Sequence, residues 1–300
     1  MKSSLTLFCC AFLITTSAFS QKLTNKWTSL LTADGRNFDV FIGIPHTSIT
    51  DPKLDGWDKG DGMDHGTPLG LNNDPLHVFT IEMVDGQPVL HISGQIFGGY
   101  STKEEYGNYH LKVEFKWGEK KYAPKLTVRR DNGILFHGKE PRDQFWHVWY
   151  RAPEFQVEEG NMGDLYSLAG VGSDVHARVK DTVTKRGWIY DPAAPLHYFA
   201  SWGKPGEPAP PSNLSHLKGD FEKPNGEWNT IELYCYGDKA VYVINGHPDM
   251  MLENIRTVPK DGSPTTPLTN GHIQFQSEGA EAYYRNIQII KLDKMPDFKF

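Results

Sequence analysis

Short stretches in which every second residue is apolar, cut at intervals by Gly, Pro, Asn and Asp, run through the chain from residue 21 onward. In Leu111-Lys112-Val113-Glu114-Phe115-Lys116-Trp117 the alternation turns one strand face to a core and the other to solvent. Ile231-Glu232-Leu233-Tyr234-Cys235 repeats it, passes Gly237-Asp238-Lys239 into Ala240-Val241-Tyr242-Val243-Ile244, and reaches the turn pair Asn245-Gly246, an antiparallel meander. Gly271 to Gln276 and Tyr283 to Ile290 read as a terminal hairpin. Helical periodicity is scarce. Many short strands with turn signals between them specify an all-β sandwich or barrel. Three stretches break the pattern, Asp51 to Asp74, Gly160 to Pro195 and Ser201 to Glu227, and are expected to be long loops of functional or lid-like kind.

Residues 1–20 have the form of a secretory signal peptide: Lys2, an apolar run from Leu5 to Ile14, and Ala18-Phe19-Ser20 before a cleavage point near Ser20/Gln21. A secreted or periplasmic protein with one domain over 21–300 is the expectation. Acylation of Cys9 or Cys10 is the weaker reading, because few apolar residues precede them. Of the three cysteines only Cys235 then remains, so packing rather than a disulfide must hold the fold. A net charge of −6 argues against a nucleic-acid partner, and no apolar run long enough for a transmembrane helix follows the signal segment. The oligomeric state is open.

Glu154-Phe155-Gln156-Val157-Glu158 puts three polar side chains on one strand face, a row suited to binding sugar hydroxyls or simply facing solvent. Glu154 and Glu158 alone do not make a glycosidase pair. Four residues of strand span about 13 Å, whereas paired carboxyls stand roughly 5 Å apart in retaining enzymes and about 6.5–9.5 Å in inverting ones. A second carboxylate from another strand is required, and Glu278, beyond the polar face of Gln274 and Gln276, is the best candidate. His137 closes the segment Arg130-Asp131-Asn132-Gly133-Ile134-Leu135-Phe136-His137 and, beside a carboxylate, would form a proton-transfer pair. Lys103, after Gly98-Gly99, is placed to neutralise an oxyanion or is a solvated loop lysine. Trp146, Trp149, Trp188 and Trp202 offer rings for stacking on sugars, or core. The run Asp55, Asp58, Asp61, Asp64 with His65 has oxygen ligands for calcium, though at every third residue rather than every second. No spacing specifies zinc.

The same segments resemble the DUF1080 or 3-keto-disaccharide hydrolase domain family over nearly the whole of 21–300. The resemblance is carried by Gly98 to Tyr106, Phe115-Lys116-Trp117-Gly118, Arg130 to His137, Glu154-Phe155-Gln156-Val157, Gly226-Glu227-Trp228-Asn229, Val243-Ile244-Asn245-Gly246 and Gln274 to Gly279. Asn132 departs from it, since the family more often has Ser before the glycine. The resemblance implies a concanavalin A-like jelly-roll β-sandwich of two antiparallel sheets, with the site on the concave face, and action on glycosides carrying a ketone at carbon 3.

Such a ketone acidifies the proton on carbon 2, so elimination of the carbon 1 substituent and rehydration give net hydrolysis. That chemistry needs a base, an enolate stabiliser and a proton donor. Glu154 or His137 is the candidate base, Lys103 or Arg130 the stabiliser and Glu278 the acid. Gln156, Arg130, Asp131, Gln276, Glu158 and Trp149 are the candidate substrate-binding residues. Two alternatives stand beside this carbohydrate-active hydrolase or lyase: a non-catalytic lectin-like module and a conventional endo-glycanase.

Overall fold

The protein is represented by a computed structural model that describes residues 23–182, 186–203 and 210–300. The expected signal segment, its boundary at Ser20/Gln21, and Cys9 and Cys10 lie outside the described residues.

The strands follow in chain order as β1 (Thr28–Ser29), β2 (Phe38–Ile42), β3 (Gly70–Leu71), β4 (Phe79–Val84), β5 (Gln87–Ile92), β6 (Gly98–Thr102) and β7 (Tyr109–Lys121). Next come β8 (Gly133–Gly138), β9 (Pro153–Gln156), β10 (Leu165–Ser167), β11 (Val171–Asp181), β12 (Arg186–Tyr190), β13 (Leu196–Ala200) and β14 (Leu214–Ser215). The chain ends with β15 (Asn229–Tyr236), β16 (Lys239–Ile244), β17 (His247–Thr257), β18 (Thr266–Pro267), β19 (His272–Ser277) and β20 (Ala280–Lys291). A single 3-10 turn, Pro52–Leu54, is the helical element among the described residues.

The fold is a jelly-roll β-sandwich of two antiparallel sheets. The larger runs β12-β11-β17-β16-β15-β7-β20-β5-β4, with β1 on β20, β13 on β11 and β18 on β17; the smaller runs β14-β10-β9-β8-β19-β6-β2-β3. Alternation decides which side chains meet between them. Leu111, Val113 and Phe115 of β7 and Ile231 and Leu233 of β15 join Ile134 and Phe136 of β8, Phe155 of β9 and Ile273 and Phe275 of β19 in one buried cluster. Each such side chain contributes roughly 1.5–3 kcal/mol when fully buried. Leu135, lying between Ile134 and Phe136, points the opposite way and belongs to a second cluster with Phe97, Val148, Trp149, Tyr150, Ala152 and Leu168 on the outer face of the smaller sheet.

The meander is present as β15, β16 and β17, with Asn245-Gly246 closing the turn between the last two. Two expectations are corrected. The terminal hairpin does not form: β19 pairs with β6 and β8 in the smaller sheet, β20 with β5, β7 and β1 in the larger. Only Glu278-Gly279 joins them, and Gly279 has φ +77°, where a Cβ is disfavoured. The short link reads like a hairpin turn, but each strand's apolar face seeks the shared core from the opposite side. Nor is Gly160 to Pro195 a loop, since it contains β10, β11 and β12; its many glycines and polar residues mask the alternation Val171, Ser173, Val175, Ala177.

Candidate active site

β9 supplies the first wall of the site. It lies between β8 and β10, with Ile134 opposite Phe155 and Tyr166 opposite Glu154. Phe155 packs inward against the Tyr242 ring, 4.3 Å away, and the Tyr242 hydroxyl donates to the Glu154 carbonyl at 3.1 Å. Glu154 and Gln156 therefore turn to the outer face, 4% and 5% exposed. Gly133 makes room for them. A Cβ built there would lie 2.1 Å from Glu154 Oε1 and 2.4 Å from Gln276 Oε1, so the bare backbone lets both groups fold across β8. Asn132 braces the same place. Its amide donates to the Gln276 carbonyl at 2.6 Å while its Oδ1 accepts from the Tyr284 hydroxyl at 2.7 Å, tying β8 to β19 and β20.

These side chains open on a pocket of about 300 Å³ lined by Lys125, Asp131, Phe145, Trp146, Trp149, Glu154, Gln156, Glu158, Tyr166, Leu168, Asn213 and Glu278. That is the low end of the roughly 300–1,000 Å³ typical of small-molecule sites. The aromatic wall comes from the segment after β8. Phe145 and Trp149 exchange backbone hydrogen bonds of 3.0 Å, which closes a tight turn with Trp146 and His147 at φ +48° and +54°. Left-handed backbone at a bulky residue is strained and is held by its surroundings. Here Trp146 lies 4.8 Å from Phe145 and 5.6 Å from Trp149 between ring centroids, and the Trp149 indole N–H donates to the Gly98 carbonyl at 2.9 Å.

Opposite stands a charge cluster. Lys125 Nζ lies 2.6 Å from Asp131 Oδ2 and 2.8 Å from Glu278 Oε1. Burial lifts Glu154 well above the usual carboxylate range, and the negative charges of Glu278 and Asp131 add to it. Burial, then Asp131, raises Glu278 to about 8, against the pull of Lys125. Desolvation opposes the charge on Lys125, but its two carboxylate partners outweigh it and keep the ammonium protonated. Carboxyls crowded round one ammonium retain a proton at neutral pH, giving the pocket both an acid and a base.

Six of the expected site residues, Glu154, Gln156, Glu158, Asp131, Trp149 and Glu278, line this one pocket, and Gln276 lies against Glu154 beside it. Three do not. His137 is fully buried, its Nδ1 3.2 Å from the Leu268 carbonyl and its ring 5.8 Å from Tyr109 in the inter-sheet core. Burial drives its pKa down to about 3. Lys103 is a surface side chain, 47% exposed and 3.8 Å from Asp39. Arg130 turns away to Glu159, 3.2 Å from its carboxylate, and lines a separate groove with Lys116 and Asn225.

Trp188 packs at the core margin beside His197, and Trp202 donates its N–H to the Val258 carbonyl, so neither lines the pocket. Asp61 spends its carboxylate on the N–H groups of Met63, Asp64 and His65 and on the His65 ring. Asp58 accepts from Thr67. No trio of His, Cys, Asp or Glu side chains is placed to hold a metal among the described residues. Lys125, Tyr166, Asn213, Phe145 and Leu168 escaped the sequence reading. Nothing in Ala123-Pro124-Lys125 marks the lysine locally; Tyr122 N–H bonding the Gly279 carbonyl at 2.8 Å is what brings it to Glu278.

Residues 45–290 match the family model of the 3-keto-alpha-glucoside-1,2-lyase-like domain. No curated protein matches the chain in sequence. Among solved structures, a candidate glycosyl hydrolase from Parabacteroides distasonis is similar at 16% identity and a TM-score of 0.44, over 89% of this chain and 100% of that one. A family 16 endo-glucanase from Bacteroides ovatus follows at 10% identity and 0.41, over 88% and 98%. A carbohydrate-binding module from Bacillus subtilis shares 7% identity at 0.38, over 71% and 92%. All three are remote likenesses.

Proposed function

The chain belongs to the 3-keto-alpha-glucoside-1,2-lyase-like domain family, and from that membership we propose that it cleaves 3-keto-glycosides and 3-keto-disaccharides by removing the carbon 2 proton, eliminating the carbon 1 substituent and hydrating the product. One observation supports it above the others: an acid, a base and a cation share a single pocket with a stacked aromatic wall.

Glu278 is the base: its pKa of about 8 leaves a minority ionised at neutral pH, and of the two buried carboxyls it is the one with the Lys125 ammonium 2.8 Å away to favour that form. Glu154 makes no ion pair among the described residues and burial favours its protonated form, so it is the donor to the leaving oxygen. This exchanges the roles first expected of the two, and Lys125 takes the stabilising part expected of Lys103 or Arg130. In the first half-reaction the C2–H bond breaks and Glu278 takes the proton, while the charge passes to the oxygen on carbon 3. With Glu278 neutral, the ammonium is released to that oxygen. The C1–O bond then breaks and the departing oxygen takes the proton of Glu154. In the second half-reaction Glu154 removes a proton from water as its oxygen bonds carbon 1, and Glu278 returns a proton to carbon 2. Trp146 and its ring neighbours would hold the sugar face. Export is part of the same proposal and rests on the pattern of residues 1–20.

The test is incubation with a chromogenic 3-keto-glucoside in D₂O. Release of aglycone with deuterium at carbon 2, lost in Glu154→Gln and Glu278→Gln and absent for the unoxidised glucoside, is expected. No release above background, or release that both variants retain, rules the proposal out.

A further inference from the structure

The pocket is unequal in charge. Among the described residues four carboxyl side chains line it, Asp131, Glu154, Glu158 and Glu278, against one cation, Lys125. Lys125 is already committed to two of them, Asp131 at 2.6 Å and Glu278 at 2.8 Å. Two neighbouring cations point elsewhere, Arg130 to Glu159 and Arg151 to the Ala169 carbonyl, and Arg129 lies beside Gly160 outside the lining. Among the described residues, the Glu158 carboxylate accepts a hydrogen bond from the side-chain amide of Asn161 and from no other side chain. The remaining lining is aromatic or neutral, from Phe145, Trp146, Trp149, Tyr166, Leu168, Gln156 and Asn213. Among the described residues, an anion entering this space meets no uncommitted cation and faces the carboxylates of Asp131 and Glu158 beside the largely protonated Glu154 and Glu278, across a partly dehydrated gap where like charges interact strongly.

We infer that the pocket selects glycosides that are uncharged or carry an amino group, and excludes those bearing a carboxylate, phosphate or sulfate. The inference rests on the reading of this pocket as the substrate site and goes beyond it in naming the substrate class. The discrimination comes from the pocket as built, through repulsion of the unwanted ligand as much as through attraction of the accepted one. Glu158, at the margin of the cluster and away from Lys125, acts as a specificity residue that adds to the repulsion.

The inference is tested by binding first, so that it stands apart from turnover. Calorimetry with phenyl glucoside, phenyl glucuronide and the 6-amino-6-deoxy phenyl glucoside should rank amino at or above hydroxyl, with the glucuronide weaker by at least about tenfold. Kinetics on the three matching 3-keto-glycosides should show the same order in kcat/KM. In Glu158→Gln the gap between glucuronide and glucoside should narrow several-fold in either measurement. A glucuronide that binds or reacts as well as the glucoside, or a gap that Glu158→Gln leaves unchanged, overturns the inference. Absence of turnover with the expected binding order overturns the proposed reaction and leaves the selectivity standing. Absence of both binding and turnover removes this pocket as the substrate site and the inference with it.

Discussion

The ammonium of Lys125 stands 2.8 Å from the carboxylate of Glu278, a contact made across the point where the chain leaves the smaller sheet for the larger. With Asp131 on its other side, Lys125 is the sole cation lining the pocket among the described residues. Replacing it by Met leaves two buried carboxylates without their partner. Removing one partner of a buried ion pair costs about 3–5 kcal/mol, and turnover of a 3-keto-glucoside should fall with it. Urea denaturation and steady-state rates of Lys125→Met measure both, and wild-type values for either would show that the pair has neither role.

Gly279→Ala tests the crossover itself. The residue has φ +77°, and a Cβ there would stand 2.7 Å from Lys125 Cβ. The variant should lose at least about 1 kcal/mol through backbone strain alone. Because the clash is with Lys125, activity should drop further than in a change of equal stability cost elsewhere in the fold.

Glu278→Gln should alter the pH dependence of stability. The folded-state pKa of Glu278 is raised to about 8 from an ordinary value near 4.5. The native state therefore binds this proton more tightly than the unfolded chain, and stability is fully present below about 4.5 and declines as pH rises toward 8. A titration of unfolding free energy between these limits should slope downward in the wild type and flatten in Glu278→Gln. Equal slopes would contradict the assignment.

His137 makes the opposite prediction. Buried neutral with a pKa near 3, it takes up its proton only on unfolding over the range from about 6.5 down to 3, so it destabilises the fold in acid. His137→Ala should lose roughly 2–4 kcal/mol through the cavity and the missing bond to Leu268. Its kcat at neutral pH should stay within about twofold of wild type. A loss of kcat in a folded variant would return His137 to the reaction.

Trp146 and Trp149 should separate. Trp149 is nearly fully buried and hydrogen-bonded to Gly98, whereas Trp146 is half-buried on the pocket wall. Trp146→Ala should raise KM about five- to tenfold with a smaller change in kcat. Trp149→Ala should instead lower the melting temperature, since it removes a core ring as well.

Local periodicity was enough to specify a sandwich and to place Glu154 and Gln156 together on the outer face with Phe155 and Val157 inward, because neighbouring side chains on a strand must alternate. The same rule failed at His137. With Leu135 outward, His137 should also face out, but its backbone lies at φ +52° and β8 slips register against β19 between His272 and Gln274, which turns the ring inward. Long-range geometry also made the charge cluster. Lys125, Asp131 and Glu278 come from two distant parts of the chain, and no local spacing encodes their distances of 2.6 and 2.8 Å. The sequence by itself determined the strand class, the family and the first carboxylate, since those depend on residues a few positions apart. The tertiary structure decided the partner cation, the exclusion of Lys103, Arg130 and His137, and the two-sheet destination of β19 and β20. Those depend on which faces find a common core, and a core is a property of the whole chain.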